Sequence, residues 1–151
     1  MDSLALARSI KRWGSDIGFQ AVGIARPKLA AAGNRLAEWL GKGWHGEMDY
    51  MARHSALRCD PAALVPGMLS VVSCRMNYRP AIRDEGKALA DRSAAYVASY
   101  ARGRDYHKVL RGRLQRLYDR IEAVSGPVAH RVFADSAPVM EVEFAVQAGI
   151  G

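Results

Sequence analysis

Residues 107–124 carry apolar side chains at Val109, Leu110, Leu114, Leu117 and Ile121. That spacing puts them on one face of a helix, which Gly126 and Pro127 then break. Such a helix gains its stability from a partner surface for its apolar stripe rather than from propensity alone. The rest of the chain must supply that surface, and 151 residues suffice for one domain with its own core. The other face is basic: residues 102–120 read "RGRDYHKVLRGRLQRLYDR" in a chain with 22 Lys+Arg against 15 Asp+Glu, net charge +7. A cationic face either attracts a polyanion or is simply solvated, and composition leaves both open.

The remaining pattern supplies candidate partners. Residues 4–17 predict an amphipathic helix, with Leu4, Ala7, Ile10 and Ile17 near one stripe and Gly18 as its stop. "FQAVGIA" (19–25) predicts a short strand, and residues 29–40 a helix burying Leu36, Trp39 and Leu40. Residues 41–54 read as an ordered glycine-containing loop entering a short helix, and 60–67 as a loop with one helical turn. "MLSVVSCRMNY" (68–78) is the best strand, followed by a polar, Ala-rich connection over 79–94. "AAYVASY" (94–100) and "VAHRVFA" (128–134) predict two more strands, and 139–148 a last helix ending at Gly149. Alternating strands and helices without repeat or internal boundary argue for one layered α/β or mixed α+β domain over 1–151.

Several functions are disfavoured. No apolar run approaches the roughly 20 residues that cross a bilayer, and charges interrupt any signal-like segment in "MDSLALARSIKRW"; a cytoplasmic protein is expected. "GKGWHG" (41–46) fits G-x-G-x-x-G but follows a helix, whereas a dinucleotide site needs a strand before it. His45, His54, His107 and His130 lack metal-ligand spacing, so no metal ligand is assigned. Cys59 and Cys74 fit no zinc or redox motif, and two thiols cannot ligate a four-iron cluster.

Four stretches in order, "GWHGEMDYMARH" (43–54), "LVPGMLSVVSCRMNY" (64–78), "YARGRDYHKVLRGRL" (100–114) and "DSAPVMEVEFAVQAGIG" (135–151), resemble the N-terminal part of the epoxyqueuosine reductase family. The resemblance covers essentially the whole chain. It implies a layered cobalamin-binding domain and reduction of epoxyqueuosine to queuosine at the tRNA wobble position, the last step of queuosine biosynthesis. It further implies base-off cobalamin as cofactor, tRNA as partner, and a monomer at full length. Two 4Fe–4S clusters and a helical repeat region belong to parts of the family absent from these 151 residues. The chain therefore reads as a truncated product, an isolated domain or a split gene, not expected to turn over alone, and the electron donor is unidentified. Two other readings are a non-catalytic basic tRNA-binding module and an inactive fragment.

The resemblance assigns Asp135 as proton donor and cofactor contact, and Arg58 and Ala98 as further cobalamin-binding positions. Opening an epoxide reductively needs a proton for the departing oxygen, which a placed carboxyl can give. Asp135 follows the expected strand 128–134 and precedes a helix, where α/β folds place ligands. A helix N-terminus favours the carboxylate, burial under a corrin the neutral acid; the acid role requires that burial prevail. Arg58 can donate to an amide or phosphate oxygen, whereas Ala98 offers only backbone or steric contact. Tyr106 and His107 are candidates to line the pocket or touch RNA, and Arg111, Arg113 and Arg116 to hold tRNA phosphates. Two departures stand out. Val142 occupies the position where the family carries Arg after the Glu of "APVxER". "DYHKVL" (105–110) has Leu110 where the D-x-H-x-x-G cobalt-ligand motif has Gly, which argues against a histidine–cobalt bond.

Overall fold

The computed structural model describes residues 2–78 and 85–151. In chain order it holds α1 (Ser3–Ile17), β1 (Ala21–Ala25), α2 (Ala30–Gly41), α3 (Asp49–Arg53), α4 (Ser55–Cys59), a 3-10 turn (Pro61–Ala63) and β2 (Val71–Arg75). Then come α5 (Glu85–Ala90), a second 3-10 turn (Ser99–Ala101), α6 (Tyr106–Ser125) and α7 (Glu141–Gln147).

β1 and β2 form an antiparallel pair with Val22 opposite Cys74 and Ile24 opposite Val72. Strand side chains alternate faces, and each face takes a different helical layer. Val22, Ile24, Val72 and Cys74 pack with Ile10 and Ile17 of α1, Phe19, and Leu117 of α6, so the stripe of α6 finds its partner here. On the other face Ala25 and Val71 pack with Leu29, Ala32 and Phe144 of α7, whose ring is 1% exposed. The result is a mixed α/β arrangement with helices on both sides of a small sheet.

The small residues of β1 decide how closely α7 can lie. A Cβ built on Gly23 would stand 2.6 Å from both Cβ and carbonyl oxygen of Ala148. At the far end of the other layer, Gly18 closes α1 in the left-handed conformation (φ 98°), the stop expected from sequence. Arg113 Nη1 donates to the Gly18 carbonyl at 2.9 Å and ties α6 to that end.

Two predicted strands do not form. Residues 94–98 carry no sheet pairing and lead into the second 3-10 turn. The segment is fixed by Arg102, whose Nε donates to the Val97 carbonyl at 2.5 Å and whose guanidinium lies 4.9 Å from the Tyr96 ring centre. Residues 128–133 are likewise unpaired. They run along α6, where the Tyr118 hydroxyl donates to the Val128 carbonyl at 2.9 Å and the His130 ring stacks on Tyr118. Alternation makes a segment fit for a sheet, but only an open edge makes it a strand. Of the expected connection 79–94, residues 79–84 lie outside the described residues, and α5 occupies part of the remainder.

The same substitution should act with opposite signs at two glycines. Gly23→Ala forces α7 off the sheet and should cost about 1–3 kcal/mol. Gly112→Ala, inside α6 with nothing within 4 Å of the added methyl, should stabilise by roughly 0.5–1 kcal/mol. Urea denaturation followed by circular dichroism measures both, and equal effects would contradict this packing.

Candidate functional site

The start of α6 and the turn before α7 bring titratable groups together. Asp105 caps α6, its carboxylate accepting from the His107 backbone N–H at 2.9 Å. The same oxygen lies 3.1 Å from His107 Nδ1, which orients the imidazole. Tyr106 and His107 stack with ring centres 4.0 Å apart. Both face one acid: the Tyr106 hydroxyl donates to Asp135 Oδ2 at 2.5 Å, and His107 Nε2 stands 3.9 Å from that oxygen.

Asp135 is the one non-glycine residue with positive φ among the described residues, at 55°. A left-handed L-residue is strained by about 1–2 kcal/mol, least for residues such as Asp with a short polar side chain. The turn is held from the other side, where the Asp135 N–H donates to Oε1 of Glu141, the first residue of α7, at 3.2 Å. Glu141 is half-buried; burial first, and then the Asp135 charge, pushes its carboxyl above the usual range. The Asp135 side chain remains 53% exposed, open to a ligand. Donation to that carboxylate pushes the Tyr106 phenol above its ordinary value.

Asp135 is thus brought together with Tyr106 and His107, which sequence left open as pocket or RNA contacts, and by another route than the one expected. No strand delivers it. An unpaired segment packed on Tyr118 does, so the crevice beyond a strand end is replaced by a left-handed turn against a helix start. Glu141 was missed, although it is the Glu of the "APVxE" pattern; a Glu at a helix start reads simply as favourable with the dipole.

Arg58 lies on α4, half-buried, and its Nε is buried without a hydrogen-bond partner. A buried charged donor without an acceptor is costly, so this position fits a group presenting amide or phosphate oxygens. Ala98 is half-buried just before the second 3-10 turn, and its carbonyl accepts from Ala101 N–H at 2.9 Å. Among the described residues no hydrogen bond or ion pair joins Arg58 or Ala98 to Asp135. Val142 is 75% exposed on α7. A shallow apolar groove of about 330 Å³, lined by Ala32, Leu36, Trp39, Met51 and Met140, includes none of the three assigned positions.

The basic face divides. Arg113 is spent on the Gly18 carbonyl and Arg120 pairs with Asp16 at 3.4 Å. Arg113 therefore carries a structural bond that sequence did not anticipate. Arg104, Lys108, Arg111 and Arg116 are exposed. Both cysteines are free, and burial pushes the Cys74 thiol up to about 12, far from a reactive thiolate. No helix of the described residues is long and apolar enough to cross a membrane.

Comparison with known proteins gives a consistent answer. The family model described as "Epoxyqueuosine reductase QueG, DUF1730" matches residues 58–136, just over half the chain, a span that includes Arg58, Ala98 and Asp135. The epoxyqueuosine reductase of Pseudomonas aeruginosa is 52% identical over 99% of this chain and 42% of its own length. That of Burkholderia pseudomallei is 52% identical over 97% of this chain and 40% of its own. The Escherichia coli K12 enzyme is 46% identical over the whole chain and 40% of its own length. The chain thus spans about two fifths of these relatives. No solved structure matches it.

The raised Tyr106 phenol yields a pH test. Its proton is held by donation to a charged carboxylate, so Asp135→Asn should lower the Tyr106 titration towards the ordinary phenol value. The hydrogen bond is intact at neutral pH and lost as pH rises through the raised phenol value. Absorbance at 295 nm, with Tyr106→Phe subtracted, isolates this titration; an unmoved curve would contradict the contact.

Proposed function

The chain belongs to the epoxyqueuosine reductase family, and from that premise we propose that it is the cofactor- and substrate-binding portion of such an enzyme. The substrate is epoxyqueuosine at the tRNA wobble position and the product queuosine. The observation that carries this reading is the Asp135 carboxylate, held in a left-handed turn with one oxygen bound by Tyr106 and half its surface open.

Cobalamin, when bound, supplies the electrons that open the epoxide, fed in the family by two 4Fe–4S clusters whose cysteine ligands this chain does not contain. Two electrons and two protons carry the epoxide oxygen away as water and leave a carbon–carbon double bond. Asp135 delivers a proton to the departing oxygen, and its exposed face allows solvent to reprotonate it. Tyr106 holds Oδ2 and so turns the other carboxyl oxygen towards the substrate. A cofactor held here would exclude water from around the Asp135 carboxyl. Arg58 gives its unpartnered Nε to an amide or phosphate oxygen of the cofactor, and Ala98 presents backbone and a small side chain that admit a flat ring. Arg104, Lys108 and Arg111 at the start of α6, with Arg116 farther along it, offer exposed cations to tRNA phosphates.

Titration with base-off cobalamin tests the reading on this chain directly. The cobalt absorption bands should shift on binding, and Arg58→Ala should weaken affinity about 10- to 100-fold, the loss of one charged hydrogen bond. Unperturbed bands at high protein concentration would overturn it.

A further inference from the structure

We propose that Glu141 is the positioning residue for Asp135: its carboxyl holds the left-handed turn that aims the Asp135 carboxylate, and it acts through Asp135 rather than on substrate. The Asp135 N–H has no helix or strand ladder to join, and Glu141 Oε1 is the acceptor it meets, at 3.2 Å. Asp135 is then fixed at two points, its amide by Glu141 of α7 and its Oδ2 by Tyr106 of α6. His107 Nε2 stands 3.9 Å from the same carboxylate oxygen. The clamp is set by the fold, because Phe144, one turn along α7 from Glu141, is among the most deeply buried side chains of the sheet's second face. Burial first, and then the nearby Asp135 charge, displaces the Glu141 carboxyl upward.

The proposal rests on Asp135 being the proton donor, but its test does not. In the isotopically labelled chain, nuclear magnetic resonance reads the HN–Hα coupling and amide exchange of Asp135 together with the Glu141 carboxyl titration. Glu141→Gln keeps an acceptor oxygen and should retain the wild-type coupling and exchange. Glu141→Ala should alter the coupling and speed exchange of the Asp135 amide by about five- to tenfold. The Asp135 amide proton shift should follow the Glu141 carboxyl titration, a response that a glutamate not bonded to that amide would not give. Wild-type coupling and exchange in the Ala variant, or an Asp135 amide shift blind to the Glu141 titration, would overturn the proposal. Should Glu141→Ala unfold, seen as collapsed Ile10 and Leu117 methyl dispersion, the Asp135 amide shift in the unaltered chain decides. Failure of Asp135 as the acid in turnover would leave each of these readouts unchanged.

Discussion

Gly23 of β1 and Ala148 at the end of α7 meet with no room for another methyl between them, and the placement of the candidate site follows from that contact. A seven-residue helix has no stability of its own. α7 is held by Phe144 in the second core, by the ion pair of Glu143 with Arg35, and by Gln147 Nε2 donating to the Lys28 carbonyl at 2.8 Å. Arg75 Nη1 adds a bond to the Ile150 carbonyl at 3.2 Å, tying β2 to the residues after the helix. With α7 so fixed, Glu141 can reach back to the amide of Asp135 only from one side. The start of α6, anchored through Leu117 and Arg113, brings Tyr106 from the other. Two independently packed layers thus converge on one carboxylate.

Much of the scaffold was legible in the sequence because its elements carry their own periodicity. α1, α6, β1 and β2 fall where apolar spacing puts them, and Gly18 stops α1 as its position implies. The segments 94–100 and 128–134 carry equally strand-like patterns, yet neither pairs. Pattern records which side chains can share a face, not whether a neighbouring edge exists; Arg102 and Tyr118 offered these segments other partners. The site was legible only in part. The grouping of Asp135 with Tyr106 and His107 joins a residue from the ordered motif set to two from a helix start, whereas Arg58 and Ala98 rested on the family resemblance alone. Glu141 was invisible as a partner because its role depends on a positive φ six residues earlier, which no local pattern announces.

The surroundings of Asp135 combine a local acid pair with a cationic approach. Asp135 and Glu141 repel, which the fold accommodates by burying one and exposing the other. Arg104, Lys108 and Arg111 sit on or beside the first turns of α6 and remain exposed, so the field seen by an approaching polyanion is attractive.

Whether Asp135 gives up that proton is measured most directly by turnover in a chimera. This chain replaces the matching segment of the Pseudomonas aeruginosa epoxyqueuosine reductase, with and without Asp135→Asn, and queuosine in tRNA is quantified. A proton donor predicts a fall of about 10²–10⁴-fold in the Asn chimera at saturating cobalamin. Queuosine formation at the parental rate would contradict it.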